Sequence, residues 1–212
     1  MVIETFPVGP LRCNCSILVD GETRSAIVID PGGDFEKIRA RLENHEAKVT
    51  AIIHTHTHID HVGATAPLQR WSSAEARIHE ADRFLYDLLP VQAELLGVPL
   101  PERCDLEGNL DDEVVIRAGA IELSVLHTPG HTPGSVCFVV PHVDGPLAFT
   151  GDTLFRRGIG RTDLWGGDTA LIFRSLKTKL LGLAEETRVI AGHGAATTIG
   201  EERRANPYLR SS

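Results

Sequence analysis

Apolar and polar positions fall into short β-type runs through the first thirty residues. The segments "VIETFPV" (2–8), "CSILVD" (15–20) and "SAIVID" (25–30) are β-branched and are separated by the turn signals "DGET" and "DPGGD". They predict three strands. The period then becomes helical: Phe35, Ile38 and Leu42 share one face of "DFEKIRARLENHE", with Asp34 placed as its N-cap. "KVTAII" (48–53) has the composition of a buried strand, and 61–71 reads as the helix that follows it. Further along, "ARIHE" (76–80) predicts a short strand. Residues 81–98 predict a helix interrupted at Pro90, and the Pro- and acid-rich stretch 99–112 an exposed loop. Residues 113–128 predict two strands turning at Ala118–Gly119. Strands at 135–140 and 146–152, an amphipathic helix at 168–183, a strand at 188–193 and a helix start at 200–209 complete the series.

The order repeats, with strands and a helix to about residue 71 and strands and a helix again from about 113. Two sheets, each covered outside by helices, satisfy that layering. At 212 residues, with 42% hydrophobic positions, the chain suits a single domain spanning 1–212. Aromatic residues make up only 5%, which predicts an aliphatic core. No apolar run approaches the roughly 20 residues of a membrane span. The start "MVIETFPVGP" lacks the basic region of a signal peptide, so a cytoplasmic location is expected. A net charge of -8 is a poor match to phosphate backbones and argues against a nucleic-acid partner. Cys13, Cys15, Cys104 and Cys137 do not suggest a disulfide framework in that setting. Cys15 and Cys137 fit buried strand positions.

One stretch stands apart. "AIIHTHTHIDHVGA" (51–64) carries His54, His56, His58, Asp60 and His61 within eight positions. On an extended segment His56 and His58, two apart, point the same way and reach one cation. Asp60 and His61 follow where the chain turns into a helix and point to a neighbouring spot. Imidazole and carboxylate suit first-row transition metals, so the spacing predicts two adjacent ions. Further ligand candidates sit at predicted strand ends beside Gly or Pro: His127 and His131 in "HTPGHTPGS", Asp152 in "FTGDTLF" and His193 in "IAGHGA".

The ordered set resembles the metallo-β-lactamase-fold hydrolases, and within them the glyoxalase II-like (hydroxyacylglutathione hydrolase-like) group. The resemblance runs from "CNCSIL" through "IDPGG", "THTHIDH", "HTPGHTPGS", "FTGDTLF" and "GIGRTD" to "AGHG" and "ERRANPYL". It implies an α/β fold, a four-layer αββα sandwich. It implies that His56, His58 and His131 bind a first metal, that Asp60, His61 and His193 bind a second, and that Asp152 bridges them. A hydroxide between the ions would be the nucleophile, with Asp60 and Asp152 the carboxylates at the reacting centre. Two divalent ions are implied, zinc first, with iron or manganese as alternatives. His54 and His127 fall outside the motif.

The same resemblance implies a small thioester as substrate, S-lactoylglutathione or a relative. In the loop "FRRGIGRTDLWGGD" (155–168), Arg161 stands where a basic substrate contact would sit; an internal clamp to Asp163 is the other reading. The sequence stops just after "ERRANPYL", where long relatives continue, so a short form lacking most of the helical glutathione-binding domain is expected. The competing activity is a mononuclear-iron persulfide dioxygenase on the same fold. A non-catalytic metal-binding module is a third reading, which seven retained ligands disfavour.

Overall fold

The strand segments of the first half of the chain pair into one six-stranded sheet in the computed structural model, which describes residues 1–209. Strands β1 (Val2–Val8), β2 (Cys13–Val19) and β3 (Ser25–Ile29) form an antiparallel meander. Helix α1 (Phe35–Asn44) buries Ile38 and Leu42 and returns the chain to β4 (Lys48–Ile53), parallel to β3. The Asp34 backbone occupies the N-cap position, but its side chain does not cap. It lies in a left-handed conformation, and its carboxylate accepts the Gly9 N–H at 3.0 Å. The helix expected over 61–71 is two pieces, α2 (Ile59–Val62) and α3 (Thr65–Ser72).

Strand β5 (Glu75–Ile78) adds parallel to β4. A 3₁₀ turn (Glu80–Asp82) leads into α4 (Arg83–Asp87) and α5 (Leu89–Leu96). Their break falls at Leu88, because Pro90 is tolerated inside the first turn of α5, where its missing N–H costs nothing. The stretch read as a loop contains β6 (Glu107–Gly108), which pairs parallel with the edge of β5. The core here is aliphatic: Ile17, Val28, Ile38, Leu42, Ile52 and Leu68 are fully buried.

A second six-stranded sheet has the order β14-β13-β10-β9-β8-β7. It is built from β7 (Val115–Ala118), β8 (Ile121–His127), β9 (Val136–Val140), β10 (Leu147–Gly151), β13 (Arg188–Ala191) and β14 (Thr197–Thr198). A two-stranded hairpin, β11 (Leu154–Phe155) and β12 (Gly158–Ile159), follows β10. Strands β10 and β13 are parallel, so a crossover must join them. Helix α6 (Thr169–Ser175), capped by the Asp168 carboxylate on Leu171 N–H, supplies it and continues as a π-helical turn over Leu176–Leu180. Ile172, Leu176, Leu180 and Val189 form its core. Helix α7 (Ile199–Ala205) is the last helix among the described residues. Its buried Glu202 accepts from Arg157 N–H, Thr197 Oγ1 and Asn206 Nδ2 at 2.8, 2.6 and 2.9 Å.

The chain thus divides into two compact units. The first comprises Met1–Asn109 with Arg117–Ile121, the second Leu110–Ile116 with the described residues from Glu122 to Leu209. Among the described residues no helix is long and apolar enough to cross a membrane.

Candidate metal centre

Strands β3, β4 and β5 are parallel, so their C-terminal ends share one edge of the first sheet. In open α/β sheets that edge is where chemistry is placed. Asp30 follows β3, the histidine run follows β4, and Asp82 lies just beyond β5. Asp30 adopts φ +50, and its carboxylate is buried. One oxygen accepts the Thr55 N–H at 2.7 Å; the other accepts the Thr55 hydroxyl at 2.7 Å and a ring nitrogen of His61, Nδ1, at 3.0 Å. The last bond fixes the tautomer: with Nδ1 protonated, Nε2 of His61 presents a lone pair on the Asp60 side, 3.9 Å from Asp60 Oδ2.

The rest of the run is held as firmly. Thr57 donates its N–H to the Asp82 carboxylate at 3.2 Å and its hydroxyl to the Asp82 carbonyl at 2.9 Å. Ile59 N–H donates to Gln92 Oε1 at 2.9 Å, and Gln92 is anchored in turn on the Leu85 carbonyl. Gly32 passes so close to the Asp60 carbonyl that a Cβ on it would sit 1.6 Å from that oxygen, so only glycine permits the crossing. Within this frame His56 Nε2 and His58 Nδ1 approach to 3.0 Å, and His56 Nδ1 lies 3.1 Å from the Thr55 hydroxyl.

His54 plays another part. Its Nδ1 pairs with the Arg77 carbonyl at 3.0 Å and its Nε2 with the Thr65 hydroxyl at 2.8 Å, tying β4 to β5 and α3. Burial holds its pKa below the ordinary value, so the ring is neutral. For His61, burial disfavours the cation, but the carboxylates Asp30 and Asp60 outweigh this and lift its pKa well above the usual value, so a metal ion at Nε2 would take the place of a second proton there. Burial also pushes the Cys13 thiol up to about 12, leaving it neutral 3.5 Å from His61 Nδ1.

The second unit presents its own set at strand ends. His131 follows β8, Asp152 directly follows β10, and His193 follows β13. His131 Nε2 lies 3.7 Å and His193 Nε2 3.9 Å from the same oxygen, Oδ2 of Asp152. His131 Nδ1 is 2.8 Å from the Arg161 carbonyl, to which it donates, again leaving Nε2 as the lone-pair nitrogen. A Cβ on Gly160 would stand 1.9 Å from the Asp152 carbonyl, which explains the glycine in "GIGR". His127 serves the loop: Nε2 pairs with the Pro133 carbonyl at 2.9 Å, and its N–H donates to Asp112. Arg161 clamps Asp163 through two bonds of 2.7 and 2.8 Å, which depress the Asp163 carboxyl to about 2.

These donors suit a divalent transition metal. Zinc–nitrogen bonds of about 2.0–2.1 Å in tetrahedral geometry set neighbouring donor atoms roughly 3.4 Å apart. The donor pairs within each unit, from 3.0 to 3.9 Å, bracket that spacing. The residues that orient them were not singled out from sequence. Asp30 read as a strand end and turn in "IDPGG". Gln92 carries a visible signal, a polar side chain in phase with the buried Leu89 and Ala93 of α5.

Residues 8–193 match the family model for the "Metallo-beta-lactamase superfamily". The chain is 41% identical to the "Hydroxyacylglutathione hydrolase GloC" of Haemophilus influenzae, the alignment covering 100% of this chain and 99% of that one. Among solved structures it is similar to BLEG-1, described as a B3 metallo-beta-lactamase, with TM-score 0.91, 36% identity, and 99% and 100% of the two chains covered. It is also similar to TTHA1623, solved in a di-iron-bound form, with TM-score 0.85, 39% identity and coverage of 97% and 100%.

Proposed function

We propose, from the premise that this chain belongs to the metallo-β-lactamase superfamily and is a metal-dependent hydrolase of that family, that it hydrolyses small thioesters at a centre of two divalent ions. S-lactoylglutathione and its relatives are the proposed substrates, in line with the name of the Haemophilus influenzae protein. The proposed ligands are His56, His58 and His131 for one ion, Asp60, His61 and His193 for the other, and Asp152 for both. In this reading the two units are halves of one domain, and the enzyme is cytoplasmic.

The observation that carries the reading is the orientation of the imidazoles. His61 donates Nδ1–H to a buried carboxylate and His131 donates Nδ1–H to a backbone carbonyl, so each keeps a fixed lone pair on Nε2. Ligating histidines are held in this way, and a merely structural histidine uses both nitrogens, as His54 does. Bound there, divalent ions would bring the pKa of water to roughly 7 and polarise a carbonyl.

The chain's own residues set the rest of the chemistry. Asp60 and Asp152 are the catalytic carboxylates of this proposal. The Asp30 carboxylate keeps the His61 proton away from the ligand face. The thiol of a thioester has an ordinary pKa of about 8.5, so its thiolate departs without a positioned general acid. Arg161, exposed and clamped to Asp163, is proposed to meet a substrate carboxylate with the guanidinium nitrogen left outside the clamp.

Two measurements test this. Metal analysis of Asp152→Ala should find loss of bound metal together with loss of thioester turnover; full occupancy in that variant would refute the bridging assignment. A panel of glutathione thioesters, neutral thioesters, a lactone and a β-lactam should show thioesters turned over best. Arg161→Ala should then lose more on glutathione thioesters than on neutral ones, and equal losses would assign Arg161 to the loop clamp alone.

A further inference from the structure

A cleft of about 270 Å³ opens within the first unit, beside the proposed ligand Asp60. Its walls are Leu11 on the turn between β1 and β2, and Val98, Leu100 and Pro101 after α5. Its base is Gly32 and Gly63, where the backbone runs bare because any Cβ would strike a neighbouring carbonyl. Leu11 and Leu100, 37% and 55% exposed, line the same cleft, so exposed apolar surface is gathered there rather than scattered singly.

Size and charge together narrow the occupant. Benzene, six carbons, occupies a cavity of about 150 Å³, so the cleft holds a chain of about that length with room at its mouth. The only charged groups among the described residues lining it are the carboxylates Asp34 and Asp60. Asp60 is assigned to a metal ion, which leaves Asp34 as the charge facing the cleft; the rest of the lining is apolar or glycine and suits an uncharged aliphatic group.

We propose that this cleft is the acyl pocket of the enzyme and that it selects thioesters of unbranched aliphatic acids of about four to six carbons. The proposal rests on the thioesterase reading above, because it takes the reacting carbonyl to lie beside Asp60. Each methylene that leaves water for an apolar site gains about 0.8 kcal/mol, or roughly fourfold in kcat/KM when the gain is realised in the transition state.

The test uses the metal-loaded full chain and a series of N-acetylcysteamine thioesters from acetyl to octanoyl. The expected result is a rise of up to roughly fourfold per methylene to about six carbons, then a plateau. Leu11→Ser and Leu100→Ser, both at exposed positions, should each lower the hexanoyl-to-acetyl ratio several-fold, with circular dichroism establishing that they fold. A flat series in the parent enzyme, or a ratio that neither variant changes, would overturn the acyl pocket while leaving thioester hydrolysis standing. No turnover of any thioester by the metal-loaded protein would overturn the proposed activity and the pocket with it.

Discussion

Asp30→Asn removes the charge of one buried carboxylate and turns one of its two acceptor oxygens into a donor. Asparagine is the suitable replacement because residue 30 has φ +50, a conformation that Asn accepts far better than Ala. The amide oxygen can keep the Thr55 N–H bond of 2.7 Å. The amide nitrogen then faces the Thr55 hydroxyl and His61 Nδ1. A hydroxyl can rotate to accept. The imidazole can accept only by moving its proton to Nε2, the nitrogen proposed to bind metal. Loss of such an orienting partner costs 10–100-fold in metal affinity, about 1.4–2.7 kcal/mol. Stability falls as well, because a bond to a buried charge contributes about 1.5–3 kcal/mol; at this chain length each kcal/mol shifts Tm by about 2–4 °C. Chelator competition reads the affinity, and melting of the metal-free protein reads the stability. Native affinity for both ions in a variant showing the expected drop in Tm would refute the tautomer argument.

Three further outcomes follow from the same geometry. His54→Ala and His131→Ala both empty a buried, hydrogen-bonded site and should each destabilise the fold by about 2–4 kcal/mol, but only His131→Ala should lose metal; metal analysis and calorimetry read both. Gly32→Ala must push the Asp60 carbonyl aside and should lose both stability and metal, whereas Gly182→Ala, with nothing within 4 Å of its new Cβ, should melt within about 2 °C of the parent. The Asp163 carboxyl should titrate near 2 by NMR, because the Arg161 fork stabilises its anion. Its folded-state pKa is depressed, so the clamp's small contribution is present above the ordinary value of 3.8 and is lost as the pH falls through about 2; a midpoint near 3.8 would mean the clamp does not form in solution.

What could be read in advance depended on how local the signal was. Strands such as "SAIVI" and "KVTAII" carry composition and period in a few residues, and the structure has them within a residue or two of the expected ends. The π-helical turn over 176–180 hides inside an apolar period that looks continuous. The β11–β12 hairpin and β14 are two residues per strand, too short to carry a period. In the candidate site, metal-ligand chemistry is written in the residue types and spacing of "HTHIDH". The groups that orient it are remote in sequence. Asp30 is 31 positions from His61, and Gln92 is 33 from Ile59. Only parallel pairing of β3, β4 and β5 and the packing of α5 bring them together.

Adding metal back to the metal-free protein while following S-lactoylglutathione hydrolysis tests the two-ion thioesterase itself. Turnover should rise with the ions bound and saturate at two equivalents of zinc, iron or manganese per chain. Saturation at one equivalent of iron, with no thioester turnover and with oxygen consumed on addition of glutathione persulfide, would contradict it.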